Sequence, residues 1–483
     1  MEKTRHAAVL PVAFDFSDLG TWEAVWRVSP RDAQGNLGPP DSYFADARDC
    51  LVRTETPLDV ACIGVSNVAV IADGGSLLIC DLGHSQAVKA AAGRFPPQGL
   101  TIVDRQTSLE AFAERYRHWL ATAALPLWWS LGWDHGGAGF HDKIGLDGRA
   151  ARGPRRARVQ TRQAFVYANA HLRGHEGPWR DVAARGLEYF IDRYRRPDGL
   201  YRTLVDDDGA VLDDRPFLYD QAFALMAKAT LYRCGAHPEL RALALEQLAA
   251  IREAMTHPAG GFREAGDFPF QANAHMHLLE AALAWREADG DPIWTALADE
   301  LGALALAHFI DPDSGALREF FSTDWTVAPG ADGRLIEPGH QFEWAWLLER
   351  WMRATGRRDA AEAPQRLFMA GVRGLDLERA VAIDELNDDF SLRSSRARLW
   401  PQTEYIKAAL LLAGGAPSEA KAAYLEHAKR GAGGLWRYLE VPTRGLWRDK
   451  QTPDGQFEAE PAPASSLYHI VGAVEALTDW LNA

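Results

Sequence analysis

Cysteine is scarce in this chain. Cys50, Cys62, Cys80 and Cys234 are the only four among 483 residues, and none falls in a C-x-x-C spacing. That excludes a zinc knuckle or a disulfide framework and fits a reducing, cytoplasmic setting. No apolar run reaches the roughly 18 residues that a bilayer span requires, so no membrane segment is expected. Positive charge is not in excess either: 52 Lys and Arg stand against 66 Asp and Glu, a net charge of -14. Nucleic acid and anionic membrane surfaces are therefore poor candidates for the main partner. The opening stretch MEKTRHAAVLPVAFDFSD reaches acidic residues before any long apolar segment, so no secretory signal is expected. What remains, 47% hydrophobic and 24% charged residues, is the composition of an ordinary globular protein with a large core.

The pattern changes near residue 100. Before it come short β-rich runs at Asp49–Val52, Val60–Val65, Val68–Ala72 and Leu77–Asp81, broken by Pro57, Asn67 and Gly74-Gly75. After it the chain turns to long Ala/Leu/Glu/Arg stretches with helical spacing, for example over 240–255, 277–288 and 404–415. Two domains are expected, a small β-rich unit over 1–96 and a helical domain over 104–483.

Within the helical part a glycine followed by an apolar residue recurs at Gly139-Phe140, Gly199-Leu200, Gly261-Phe262, Gly315-Ala316-Leu317, Gly374-Leu375 and Gly445-Leu446. The glycines are 60, 62, 54, 59 and 71 residues apart, room for two helices and their connections each time. Six helical hairpins in series predict a closed (α/α)6 barrel, because closure lets every hairpin bury its apolar face. An open α-solenoid is the alternative on the same pattern.

Three histidine settings stand out. In QANAHMHLLEAAL, His275 and His277 are two apart and so point about 200° away from each other on a helix, which disfavours one shared metal ion. His277 and Glu280, three apart, share a face; a helix cap is the plain alternative. In EPGHQFEWAWLLER, His340 follows the Pro338-Gly339 break, with Glu343 one turn later as the carboxylate expected to orient the imidazole for acid/base work. In SSLYHIVGAV, His469 opens the last apolar helix, which in a closed barrel lies beside the first. Seventeen tryptophans could supply flat faces for sugars, although most belong in a core. Arg162 begins a helical run after the cluster Arg152, Arg155, Arg156, Arg158, and could fix a sugar oxygen or a phosphate.

These segments resemble the N-acylglucosamine 2-epimerase superfamily of (α/α)6-barrel sugar epimerases and aldose-ketose isomerases. The matching pieces are VQTRQ around Arg162, LYDQAF with Tyr219, MHLLEA with His277, PGHQFEW with His340 and Glu343, WPQTE with Trp400 and Glu404, and LYH with His469. The resemblance implies that His340 and His469 transfer protons, that Arg162, His277, Tyr219, Glu343, Trp400 and Glu404 line the sugar site, and that no metal or cofactor is required. N-acylglucosamine epimerases often carry a histidine two residues before the glutamate of the WPQTE-like run. Gln402 stands there instead, which favours the mannose isomerase branch.

The first 95 residues are similar to the distal part of mannose-1-phosphate guanylyltransferases, through residues 14–36, 50–55 and 62–89. The resemblance places Asp18 on an aspartate that helps hold a divalent metal in such enzymes. The Gly-rich nucleotide-binding loop of that family is absent from this chain. The unit is therefore expected to be a remnant, or half of a site completed by a separate nucleotidyltransferase chain. The combined expectation is an isomerase for mannose or mannose 6-phosphate. The alternatives are a sugar 2-epimerase, a glycoside hydrolase on the same barrel, and a non-catalytic partner subunit of a guanylyltransferase.

Overall fold

The computed structural model describes residues 21–88 and 107–483, apart from residues 41, 55–57, 74–75, 138, 236 and 359. Asp18 lies outside the described residues. The chain divides into two compact units, residues 1–99 and 100–483.

In the first unit, helix α1 (Trp22–Val28) is capped by Thr21, whose side chain accepts from the Ala24 amide. Five strands follow: β1 (Tyr43–Ala45), β2 (Leu51–Thr54), β3 (Ala61–Ile63), β4 (Val68–Asp73) and β5 (Ser76–Asp81). Alternate strands pair in parallel, β1 with β3 and β2 with β4, and β5 returns antiparallel along β4. Asp46, Asp49 and Asn67 turn corners with positive φ, a conformation that Asx side chains tolerate. Successive side chains of β2 enter different clusters, Val52 with Cys50 and Cys62, Leu51 with Ala69, Ile71 and Leu82. Two of the four cysteines thus serve as small core residues.

The second unit is a ring of helical hairpins. Six inner helices are α4 (Ala157–Leu172), α6 (Leu218–Arg233), α8 (Ala272–Asp289), α10 (Pro338–Thr355), α12 (Trp400–Ala413) and α14 (Ser465–Asn482). The outer layer is α2 (Leu109–Trp119) running through a π-turn into α3 (Leu125–Gly132), then α5 (Trp179–Tyr194), α7 (Glu239–Met255), α9 (Pro292–Leu304), α11 (Ala363–Val372) and α13 (Ser418–Leu439). Each inner helix packs on the next, and α14 packs back on α4. The ring is therefore closed, an (α/α)6 barrel, and the open solenoid is excluded. Inner helices are buried on nearly every side because they face both the outer layer and each other.

One device repeats at the head of the inner helices. Gln160 accepts from the Phe140 amide at 2.7 Å and donates to its carbonyl at 2.8 Å. Gln221 does the same for Tyr201, Gln341 for Leu317 and Gln402 for Ala382. On α8 the place is taken by His275, whose Nε2 accepts from the Phe262 amide at 3.0 Å while Nδ1 donates to the Gln271 carbonyl at 2.8 Å. Each clamp fixes a hairpin loop whose backbone groups would otherwise be buried without partners. Four of the clamped residues sit one or two places after the Gly139, Gly199, Gly261 and Gly315 positions, all at positive φ. The fifth loop departs from the sequence expectation. There Ala380, with φ 55°, takes the left-handed place, not Gly374. Gly374 is small for another reason: a Cβ on it would lie 2.3 Å from Pro338 Cγ at the head of α10.

Candidate active site

Two residues beyond each clamp, about 200° round the helix, the side chain turns toward the barrel axis. This places Arg162 after Gln160, Phe223 after Gln221, His277 after His275, Glu343 after Gln341 and Glu404 after Gln402. The sixth inner helix contributes His469, and α10 adds His340. Arg162, His277, His340, Glu343, Glu404 and His469 are all buried. Six separate helices therefore converge on one polar centre inside an apolar ring.

Both candidate proton-transfer histidines are held by Nδ1. His340 donates to Glu319 Oε2 at 2.9 Å and His469 to Glu404 Oε1 at 2.9 Å. With Nδ1 engaged, Nε2 is the nitrogen left for a substrate. The Trp400 ring stands beside both imidazoles, 4.9 Å from that of His340 and 5.8 Å from that of His469. Gly339 makes room for it, since a Cβ there would come within 2.5 Å of the indole.

Arg162 donates to the Tyr219 hydroxyl oxygen at 2.5 Å and to the Ser465 carbonyl at 3.2 Å, and its guanidinium lies 4.1 Å from the Phe223 ring centre. Tyr219 in turn meets the His277 ring edge-on at 4.9 Å. His277 Nδ1 is 3.5 Å from Glu280 and 3.8 Å from Glu343. Glu280 is bonded by the Tyr468 hydroxyl across the barrel.

The surroundings push the two histidines in opposite directions. Burial alone would lower His340, but the carboxylates of Glu319, Glu337 and Glu343 outweigh it and hold the imidazole up at about 9. Burial pushes His469 down to about 4, against the bond to Glu404. Burial likewise pushes His277 down to about 3. Glu343 is forced well above the ordinary carboxyl range by burial and by Glu404 and Glu280 nearby. Neither of its oxygens has a hydrogen-bond partner.

Two expectations change. Glu343 does not orient His340; it lies on the His277 side, and the orienting carboxylate is Glu319, from the loop before α10. Gln402 is a structural clamp turned away from the centre, so its identity carries no direct information on the sugar. Glu319, Lys407, Phe223 and the Tyr468–Glu280 bond were absent from the sequence reading. His275 and His277 do point apart, as helix geometry requires. The centre nevertheless brings together two sets of metal-type ligands, His277, Glu280, Glu343 and Glu343, Glu404, His469, each within 4.8 Å. In the second set Lys407 Nζ already occupies Glu404 Oε2 at 2.6 Å. Among the described residues no helix is long and apolar enough to cross a membrane.

Comparison with known proteins agrees with this architecture. The N-acylglucosamine 2-epimerase (GlcNAc 2-epimerase) family matches residues 139–473. A mannose-6-phosphate isomerase of Rhizobium meliloti is 46% identical over 373 residues, 75% of this chain and 96% of that protein. The crystal structure of a D-mannose isomerase superposes with a TM-score of 0.68 at 22% identity, covering 79% of this chain and 99% of that one, a likeness of fold. A mannose-1-phosphate guanylyltransferase of Escherichia coli is 35% identical over 119 residues, 25% of this chain but only 24% of the transferase. The chain thus belongs to the N-acylglucosamine 2-epimerase family, as a sugar isomerase or epimerase barrel with an N-terminal segment like part of a mannose-1-phosphate guanylyltransferase.

Proposed function

We propose that this barrel interconverts mannose or mannose 6-phosphate with the corresponding fructose by proton transfer through a cis-enediol. The observation that carries the reading is the pair of imidazoles beside Trp400, each held through Nδ1 by its own carboxylate, in surroundings that favour the cation at His340 and the neutral ring at His469. Opposed protonation states on two converging groups are what acid/base catalysis uses. The name of the Rhizobium relative supports the choice of sugar.

In this mechanism His340, carrying a proton, gives it to the ring oxygen as the hemiacetal opens and takes up the proton released from the carbon 1 hydroxyl. Neutral His469 then removes the carbon 2 proton. The freed electron pair becomes the carbon 1–carbon 2 double bond, and His340 protonates the carbonyl oxygen to complete the enediol. Return of the His469 proton to carbon 1, with loss of the carbon 2 hydroxyl proton to His340, gives the ketose and restores both histidines. Arg162, with Tyr219, and His277 supply donors for the sugar oxygens, and Trp400 supplies an apolar face. No step calls for a metal or an organic cofactor.

The same groups would support 2-epimerisation if the proton returned to the opposite face of carbon 2. A glycoside hydrolase would need two carboxyls placed across a bond. Glu319, Glu404 and Glu280 are instead each bonded to a histidine, lysine or tyrosine. Incubation with mannose and mannose 6-phosphate, followed by NMR of the products, tests the reading: ketose formation supports it, and the absence of ketose from either sugar refutes it.

A further inference from the structure

Lys407 sits on α12 one turn beyond Glu404 and is buried. Its Nζ donates to Glu404 Oε2 at 2.6 Å and lies 3.9 Å from the Trp346 ring centre. The other oxygen of Glu404 accepts from His469 at 2.9 Å. One carboxylate therefore lies between an ammonium and an imidazole. A buried ammonium carries a large desolvation cost and is retained only where it is well paired.

His340 has no such arrangement. Its partner Glu319 keeps one buried oxygen without a hydrogen bond. The other charged groups near it are Glu343 on its own helix and Glu337 at the helix head, the latter paired with Arg398 at 2.7 Å. Around His469 stand Arg162 from α4, His277 and Glu280 from α8, Glu343 from α10, Glu404 and Lys407 from α12, and Tyr468 beside it on α14. The two imidazoles have carboxylate partners at equal distance, but His340 also feels Glu337 and Glu343, whereas His469 faces two cations, Arg162 and Lys407, of which Lys407 is bonded directly to its carboxylate partner.

We propose that Lys407 is a positioning residue which, by neutralising Glu404, helps keep His469 an uncharged base, while Glu319, which carries no such ammonium, leaves His340 a cation, so that the lysine biases which histidine begins with the proton. The proposal rests on the isomerase reading for its kinetic consequence, and on the Lys407–Glu404–His469 arrangement for the placement of charge. Removing the ammonium leaves Glu404 with His469 as its nearest cationic partner, and Coulomb attraction in a buried site then favours the imidazolium.

The test compares full-length protein with Lys407→Met and Lys407→Gln. In both, the acid limb of kcat/KM moves to higher pH by about one unit or more, so activity at pH 4 relative to pH 7 falls about fivefold or more. Lys407→Arg, which keeps the charge, leaves the limb near its original place. A loss of kcat that is equal at every pH, with the limb unmoved, makes Lys407 merely structural and overturns the proposal. Histidine-labelled NMR, assigned with His340→Gln and His469→Gln, needs no substrate: the His469 titration should move to higher pH in Lys407→Met than in the unaltered protein, and no movement overturns the proposal. His340 charged and His469 neutral at pH 7 is the expected result, and both in one state overturns the proposal. A protein without sugar turnover but with this NMR pattern would sink the isomerase reading and leave the role of Lys407 in the charge states standing.

Discussion

His340 is held through Nδ1 by Glu319, a residue 21 positions earlier in the chain, at 2.9 Å, and not by Glu343 one turn along its own helix. The consequence is a division of labour between carboxylates. Glu319 faces the imidazole from the loop side and fixes its ring, whereas Glu343 is left without a hydrogen-bond partner in the centre, beside His277. A carboxyl so placed is pushed toward its protonated form, in which it can donate to a sugar oxygen.

Substituting the two histidines should show the size of their contribution. His340→Gln and His469→Gln should each lower kcat by about 10² to 10⁴, the usual cost of losing a positioned acid or base. Circular dichroism should show the helical fold intact. Near-normal turnover in either variant would refute the two-histidine mechanism.

The pH profile follows from the two shifts. His469 must be neutral to act as base, so kcat/KM falls as pH drops through about 4. His340 must be protonated to act as acid, so kcat/KM falls again as pH rises through about 9. A broad plateau between the limbs is expected. The same shift has a stability sign: the His340–Glu319 pair contributes fully below the ordinary histidine range near 6.5 and is lost as pH rises through about 9. Thermal melts across pH 6 to 10 should therefore show a decline that His340→Gln lacks.

Gln402 separates structure from specificity. Gln402→Ala removes both hydrogen bonds to the Ala382 backbone and leaves those groups buried. Denaturant unfolding should show a loss of about 1–3 kcal/mol. The ratio of kcat/KM for mannose to that for mannose 6-phosphate should stay unchanged. A changed ratio with stability intact would return Gln402 to the sugar site.

How far the molecule could be read in advance differs by element. The inner and outer helices were legible because their 3.6-residue periodicity is long and strong, and the ring because six hairpins need mutual burial. Gly374 was misplaced in the repeat because a glycine forced by Pro338 packing looks the same in sequence as one forced by positive φ. That His340, His469 and Arg162 meet inside the ring was legible through the family resemblance. Glu319 was not, since a loop carboxylate reaches its histidine only after the hairpin folds. Lys407 was not, since a lone lysine on an apolar helix reads as a side chain that snorkels to water. The clamp at Gln160, Gln221, His275, Gln341 and Gln402 was written in the sequence all along as a polar residue two places before each cavity position.

Chelation addresses the grouped carboxylates. Activity should survive EDTA, because both oxygens of Glu404 are already bonded, to Lys407 and to His469, and the proposed steps need only histidines. Activity lost to EDTA and restored by a divalent ion would move this barrel to a different isomerase chemistry.

The N-terminal unit should be dispensable for sugar turnover. A chain beginning at Leu100 retains the whole closed ring and every residue assigned to the sugar. It should isomerise at the rate of the full chain, and the full chain alone should form no GDP-mannose from GTP and mannose 1-phosphate. Loss of turnover in the soluble shortened chain would show that residues 1–99 shape the sugar site.

The most direct test of the central claim is incubation of the full chain with mannose and mannose 6-phosphate in deuterated water, followed by NMR. Proton transfer through a cis-enediol predicts fructose or fructose 6-phosphate carrying deuterium at carbon 1, with deuterium appearing at carbon 2 of the remaining mannose. An aldose product inverted and deuterated at carbon 2, with no ketose formed, would contradict the isomerase and make the protein a 2-epimerase.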